Sequence, residues 1–356
     1  MSSFTAKAPA RANLIGEHTD YATNGGHVLP TPLPFYTTAT VTEEAGPAGQ
    51  VTLTSGRFPD EKIVLTLADL PREGWTDYVM GSVKAVAEKA KLPALSIHIE
   101  SEVPFGSGIS SSAALCVSVI RSLKGLYGLT LSDEEIALMA HVAEHDFVGV
   151  PCGKMDQFAS SVGRPGQALL LNTKTLAYQQ YPLPPDEVVM LVDCGKKHDL
   201  AKGGGYRQRV AECTAARDLL GVETLCQLTE ADLPKVEAIA DPLIRKRARH
   251  VVTENLRVLA FVKALEAGDV KTQAALIAQS HVSQRDDFEV TIPEIDALVE
   301  SSNRFCVNGA RICGGGFGGS IIALVPKDQT DDWWAFVSKE NPQGRLISTY
   351  GLKKAQ

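Results

Sequence analysis

The chain lacks several things, and each lack excludes something. No apolar run in its 356 residues is long enough for a helix to span a bilayer. Met1-Ser2-Ser3-Phe4-Thr5 contains no apolar signal core. There is no CxxC, and the seven cysteines, at 116, 152, 194, 213, 226, 306 and 313, are odd in number and scattered. A disulfide framework or zinc site is therefore not expected; reduced thiols in a cytoplasmic protein are. Positive charge is in deficit, with a net charge of −7 and a pI near 5.7. That argues against nucleic acid, whose phosphates need concentrated Lys and Arg. The densest basic run, Arg245-Lys246-Arg247-Ala248-Arg249, reads as the solvated face of a helix. Repeats of 20–50 residues and low-complexity linkers are absent.

What is present is a 44% hydrophobic chain, enough for a large core in two domains. Residues 28–44 and 51–67 read as strands, with breaks at Gly46-Pro47 and Gly56. Residues 76–91 read as an amphipathic helix with Val79, Val83, Val86 and Ala90 on one face. Leu95, Ile97 and Ile99 alternate with polar residues as a half-buried strand. A buried helix is expected over 111–126, and a Ser132/Glu135 capping box opens another that runs to about Asp146. The second half offers a strand at 187–193, helices from 205 to about 303, and a strand–glycine loop–strand across 310–325. A helix around Trp333 and a strand at 346–350 complete it. Strands and helices mix in both halves, so the class is α/β or α+β, with a domain boundary within 165–190.

Three constellations carry chemistry. Arg11-Ala12-Asn13-Leu14-Ile15-Gly16-Glu17-His18-Thr19-Asp20-Tyr21 crowds charged and hydrogen-bonding groups around a glycine, an inventory that suits a polyhydroxylated ligand. Pro104-Phe105-Gly106-Ser107-Gly108-Ile109-Ser110-Ser111-Ser112 feeds a helix N-terminus, where free N–H groups and the dipole favour phosphate. It is not a Walker A loop, since no Gly-Lys-Ser/Thr follows, and it lacks the third glycine of a dinucleotide fingerprint. Glu144-His145 precedes Cys152-Gly153-Lys154-Met155-Asp156-Gln157. By spacing alone Asp156 is equally a helix cap or a group that reaches a small ligand, and Glu144 is equally a surface residue.

The first constellation resembles the N-terminal signature of the galactokinases. Pro-x-Gly-x-Gly-hydrophobic-Ser-Ser-Ser-Ala resembles the ATP phosphate loop of the wider GHMP kinase superfamily, and Arg311-Ile312-Cys313-Gly314-Gly315-Gly316-Phe317-Gly318-Gly319 its third motif. Further matches are His198-Asp199-Leu200-Ala201 with Gly205-Tyr206-Arg207, Arg247 to Arg257, and Ser280-His281 to Val290. Together they run from Ala8 to Gly319. The resemblance implies an α+β, two-domain GHMP-kinase fold. Its N-terminal domain (1–175) has a mixed sheet with helices, its C-terminal domain (176–356) is α/β, and the active site lies in the cleft between them. It implies phosphorylation of D-galactose at its anomeric hydroxyl by ATP with Mg2+, in a cytoplasmic monomer with small-molecule partners only.

The implied roles are as follows. Asp156 serves as base or orienter of the sugar hydroxyl, beside Arg11. Glu144 and Ser112 are Mg2+ ligands. Glu17, His18, Asp20, Gly153 and Tyr206 bind sugar. Trp75 lies near the adenine, and Gly106, Ser107, Gly108, Ile109, Ser110, Ser111 and Ser112 line the phosphates. Without the family, Tyr206 and Trp75 read as packing aromatics. Departures from the pattern are Ala10, the inserted Ala22-Thr23, His27, Lys154 and Cys313; those after Asp20 bear on sugar choice. Related readings are a kinase for galactosamine, N-acetylgalactosamine or arabinose, and a non-catalytic galactose and ATP sensor. The complete serine loop disfavours the sensor.

Overall fold

A computed structural model describes residues 2–21, 23–104, 106–196, 204–305 and 307–350. Ala22 of the inserted pair, Phe105, His198 to Ala201 and Cys306 lie outside the described residues. The chain forms two compact units. The first comprises Met1–Arg11, Pro32–Phe105 and Ser110–Gly163; the second comprises Ala12–Thr31, Gly106–Ile109 and Arg164–Gln356.

The first unit is built on β1 (Ser3–Asn13), β3 (Pro30–Glu44), β4 (Gln50–Ser55), β5 (Phe58–Thr66) and β6 (Ala94–Ser101), with β2 (His27–Val28) preceding β3 in the chain. The sheet order is β1-β3-β6-β4-β5. β4 runs parallel to β6, whereas β3–β6 and β4–β5 are antiparallel, so the sheet is mixed. The alternation on β6 is decisive for register. Ile97 stands opposite Val41 on one side and Leu53 on the other, and Ile99 opposite Ala39, so one face is continuously apolar. Against that face pack α1 (Trp75–Ala87), α2 (Ser111–Tyr127) and α3 (Asp133–Val142). α4 (Met155–Val162) closes the unit.

Two helix readings need correction. α1 stops at Ala87 rather than 91, and the chain turns at Glu88–Lys89 before it reaches Pro93. α3 stops at Val142 and continues as a π-helical turn, Ala143–Val148, ended by Gly149 at φ 84°.

The second unit contains two sheets. β10 (Ala310–Cys313), β11 (Ser320–Pro326), β9 (Glu187–Asp193) and β12 (Arg345–Tyr350) form an antiparallel sheet in that order. It is covered by α9 (Pro293–Arg304) and α10 (Thr330–Glu340), with Trp333 fully buried. β2 pairs with β7 (Gln167–Asn172), which pairs with β8 (Tyr178–Pro182). β1, β7 and β8 were not among the elements read from sequence. The helices α5 (Gly205–Leu220), α6 (Leu233–Glu237), α7 (Pro242–Glu266) and α8 (Val270–Asp286) make up the rest. Among the described residues no helix is long and apolar enough to cross a membrane.

The basic run is also corrected. Arg247 is buried, and donates to Glu212 at 2.7 Å and Glu289 at 2.8 Å. Helical periodicity puts it on the face that carries buried His250, Val251 and Glu254, so it ties α7 to α5 rather than facing solvent.

Candidate active site

In the first unit the sequence-predicted pair meets directly. Arg11 lies in the C-terminal half of β1 and is 5% exposed. Its Nε donates to Asp156 Oδ1 and its Nη2 to Asp156 Oδ2, both at 2.7 Å, a bidentate fork that fixes the carboxylate plane. Asp156 is in the first turn of α4, where a negative charge is favoured by the helix dipole. It is not the cap: that position is Lys154, and Asp156 has turned its carboxylate to Arg11 instead. The hydroxyl of Ser110 donates to Oδ2 at 2.7 Å.

A second carboxylate stands in the same unit. Glu144 projects from the π-helical turn and is buried, not the surface residue that spacing alone allowed. Gly81 on α1 makes the turn possible: a Cβ there would lie 2.9 Å from the Ala143 carbonyl oxygen. Ser112 Oγ donates to Glu144 Oε1 at 2.7 Å, and Gln157 Nε2 donates to Oε2 at 2.8 Å. Burial pushes the Glu144 carboxyl up to about 7, with Asp156 adding to the rise, against the hydrogen bonds of Ser112 and Gln157. Its bonded partners are neutral, so a cation would favour its charged form. An oxygen pair of this kind fits Mg2+, which takes one or two protein oxygens and completes its shell with water and phosphate. Among the described residues no cluster of three or more His, Cys, Asp or Glu offers a richer metal site.

Gly153 is buried in the turn before α4; the neighbouring Cys152 carbonyl accepts from His141 Nε2 at 3.2 Å. Trp75 opens α1, half-buried against the core and stacked on Phe58 at 6.4 Å between centroids, so its packing role is plain. Ser111 and Ser112 form the first turn of α2.

The second unit holds the rest of the phosphate loop and the sugar signature. Gly106 and Gly108 have φ of 79° and 71°. Ser107 and Ile109 are buried, and the Ser107 carbonyl accepts from Ser320 Oγ at 2.7 Å. The glycine loop after β10 lies directly against this segment. A Cβ on Gly314 would come within 2.8 Å of the Gly108 carbonyl oxygen, so that glycine is required for close approach.

The signature segment folds on itself. Thr19 Oγ1 donates to the carbonyls of Gly16 (2.9 Å) and His27 (2.7 Å), and Asn24 Nδ2 donates to the His18 carbonyl (2.6 Å). Glu17 Oε1 accepts from Arg311 Nη2 at 2.7 Å and from the Gly314 amide at 2.8 Å. Glu254 Oε1 accepts from the Gly16 amide at 2.9 Å and from Ser280 Oγ at 2.7 Å, and its Oε2 accepts from Arg257 Nε at 2.8 Å. His18 Nδ1 lies 2.5 Å from the Tyr21 hydroxyl, and its ring packs on Phe288. Among the described residues its buried Nε2 has no hydrogen-bond partner. Burial first, then His250 and Arg209, hold the His18 pKa well below its ordinary value, so the imidazole is neutral at pH 7. Tyr206 is half-buried, with its ring 5.1 Å from that of Tyr21 and 6.1 Å from that of His18. Asp20 is half-buried at the end of the segment. His27 is held by Asn255 and Asn172.

Arg311, Glu254, Gln157 and Tyr21 are the residues that sequence reasoning left without a role. All four stood inside the quoted motifs, but only distance shows which group each one holds.

Comparisons with known proteins identify the family. A family profile described as GHMP kinases N terminal domain matches residues 77–164, GHMP kinases C terminal matches 261–342, and a galactokinase galactose-binding signature matches 1–43. The structure of Lactococcus lactis galactokinase complexed with galactose is 31% identical, with TM-score 0.91 over 98% of this chain and 93% of that one. The chain belongs to the galactokinase family. Methanococcus jannaschii mevalonate kinase (17% identity, TM-score 0.69, 99% of each chain) shares the fold. So does L. major mevalonate kinase in complex with R-mevalonate (20%, TM-score 0.67, 97% of this chain and 94% of that one). The expected two-domain GHMP-kinase fold with a mixed sheet is thus the one observed.

Proposed function

We propose that the protein transfers the γ-phosphoryl group of ATP to the anomeric hydroxyl of D-galactose, giving α-D-galactose 1-phosphate and ADP. The observation that carries the chemistry is the bidentate Arg11–Asp156 pair. The galactose-binding signature over residues 1–43 supports the choice of sugar.

Asp156 orients the anomeric hydroxyl and accepts its proton as the new P–O bond forms. Arg11 fixes the carboxylate and offers positive charge to the transferring group. Backbone N–H groups from Gly106 to Ser112 cradle the donor phosphates at the start of α2. Ser112 and Glu144 hold Mg2+, which when bound neutralises charge on the phosphates. Asp20 accepts from the 3- and 4-hydroxyls, and Glu17, His18, Tyr206 and the Gly153 backbone are the further sugar-binding groups. A carboxylate bonded to an axial 4-hydroxyl discriminates strongly, because an epimer leaves it unpaired. Trp75 lies near the adenine. On this reading the protein is a cytoplasmic monomer with galactose and ATP as its partners, consistent with its net charge of −7.

The test is ADP release from Mg-ATP with galactose, glucose, galactosamine, N-acetylgalactosamine, arabinose or no sugar, with phosphorus NMR of the product. Turnover led by galactose, a 1-phosphate product and a loss of about a thousandfold or more in Asp156→Ala are expected. Turnover led by another sugar would reassign the substrate. Binding of galactose and ATP with no turnover would make the protein a sensor.

A further inference from the structure

We propose that Ser110 is a positioning residue of the phosphoryl-transfer step, acting through Asp156 rather than by its hydroxyl on ATP. The inference rests on the reading of Asp156 as the group that receives the anomeric proton.

Two serines of the first unit occupy the same helical position and behave oppositely. Ser132 caps α3 in the ordinary way: extended backbone (φ −73°, ψ 166°) and Oγ accepting from the Glu135 amide at 3.1 Å. Ser110 caps α2 with a left-handed backbone (φ 63°, ψ 57°) and makes no side-chain cap bond. Its hydroxyl is instead committed to Asp156 Oδ2 at 2.7 Å. The left-handed conformation favours glycine or asparagine over serine. Here the same conformation withholds the hydroxyl from the helix and coincides with its delivery to the carboxylate.

The result is an asymmetric carboxylate. Among the described residues Oδ2 accepts from both Arg11 Nη2 and Ser110, while Oδ1 accepts from Arg11 Nε alone. A carboxylate has about four acceptor positions, so Oδ1 keeps the greater open capacity. Oδ1 is therefore the oxygen presented to the sugar. In the step, the anomeric oxygen bonds to the γ-phosphorus, its proton passes to Oδ1, and the bond to the β–γ bridging oxygen breaks with its electron pair leaving on ADP. Ser110, being neutral, restrains the carboxylate through this change without adding charge.

Four variants test the proposal: Ser110→Gly, Ser110→Ala, Ser110→Thr and Asp156→Asn. Ser110→Gly removes the hydroxyl and relieves the backbone, so its melting temperature should rise while kcat falls about ten- to thirtyfold, with KM for galactose and ATP within about twofold. Ser110→Ala should show the same kcat without the gain in stability. Ser110→Thr keeps a hydroxyl and should retain most of kcat although β-branching there lowers the melting temperature. Adding Ser110→Gly to Asp156→Asn should cost little further kcat, because the pair acts as one unit. A Ser110→Gly enzyme with wild-type kcat overturns the proposal. So does a loss expressed only in KM for ATP, which would return the hydroxyl to the phosphates. Undiminished turnover in Asp156→Asn would instead overturn the reading of Asp156 itself.

Discussion

Glu144 in the first unit and Glu254 in the second are both removed from water, yet they are treated oppositely. Burial drives Glu144 up to about 7, since Ser112 and Gln157 give it only neutral donors. Burial pushes Glu254 in the same direction, but Arg257, with Arg311 and Ser280 among its helpers, brings it down to about 2. One carboxylate has its cation beside it, Arg257 at 2.8 Å; the other is hydrogen-bonded by the neutral groups of Ser112 and Gln157. The difference separates a group that holds architecture, here the Gly16 turn, from one whose raised pKa makes it a candidate for chemistry.

The largest effect that would break this contrast is expected at Glu254. Glu254→Gln leaves Arg257, whose side chain is only 12% exposed, without its partner and should destabilise the fold by about 3–5 kcal/mol, read by urea unfolding. A stable variant would show that the Gly16 turn does not depend on that charge. The contrast can be sharpened with pH. Glu144 has a raised pKa, so its contribution is fully present below the ordinary carboxylate value of 4.5 and is lost as pH rises to about 7. That loss is on the order of 3 kcal/mol. Unfolding of Glu144→Gln against wild type across this window should show it as a growing relative gain for the variant. Mg2+ with ADP should raise the melting temperature of the wild type at pH 7 more than that of the variant. Glu254 has the opposite sign: its contribution is present above 4.5 and is lost as pH falls towards about 2.

A smaller effect concerns close packing in each unit. Gly81→Ala crowds the Ala143 carbonyl at 2.9 Å and Gly314→Ala that of Gly108 at 2.8 Å. Each should cost about 1–3 kcal/mol by thermal unfolding. Gly81→Ala should weaken Mg2+ dependence through Glu144, whereas Gly314→Ala should raise KM for ATP. The smallest effect is expected at Lys154, which caps α4 with no side-chain cap bond. Lys154→Met should leave ATP and sugar kinetics unchanged; a rise in KM for ATP would mean that its charge reaches the donor phosphates.

Local pattern was enough for most elements. The alternation of Leu95, Ile97 and Ile99 marked β6, and Ser132 with Glu135 marked the start of α3, because both signals are contained within a few residues. β1 was missed because its exposed first half (Ser3, Phe4, Thr5) and nearly all-buried second half show no single period. The end of α3 was misplaced because the π-helical turn depends on Gly81, some sixty residues earlier in the chain. Arg247 was taken for a surface charge because composition reports a cluster of cations and not the Glu212 and Glu289 that meet it.

By itself the sequence determined the kind of chemistry: a phosphate loop opening α2, a carboxylate after a glycine turn, and a compact block of sugar-type ligands. Residue types at short spacing left alternatives open at Asp156 and Glu144, and the resemblance to the galactokinases narrowed them. Only the tertiary structure decided what each charged group is for. Asp156 could have been a helix cap until Arg11, 145 positions away, was seen at 2.7 Å. Ser110 could have been one more phosphate-loop hydroxyl until its left-handed backbone and its bond to Asp156 were seen together. Electrostatic and hydrogen-bonded roles depend on distance and burial, and both are settled by long-range packing that no local spacing encodes.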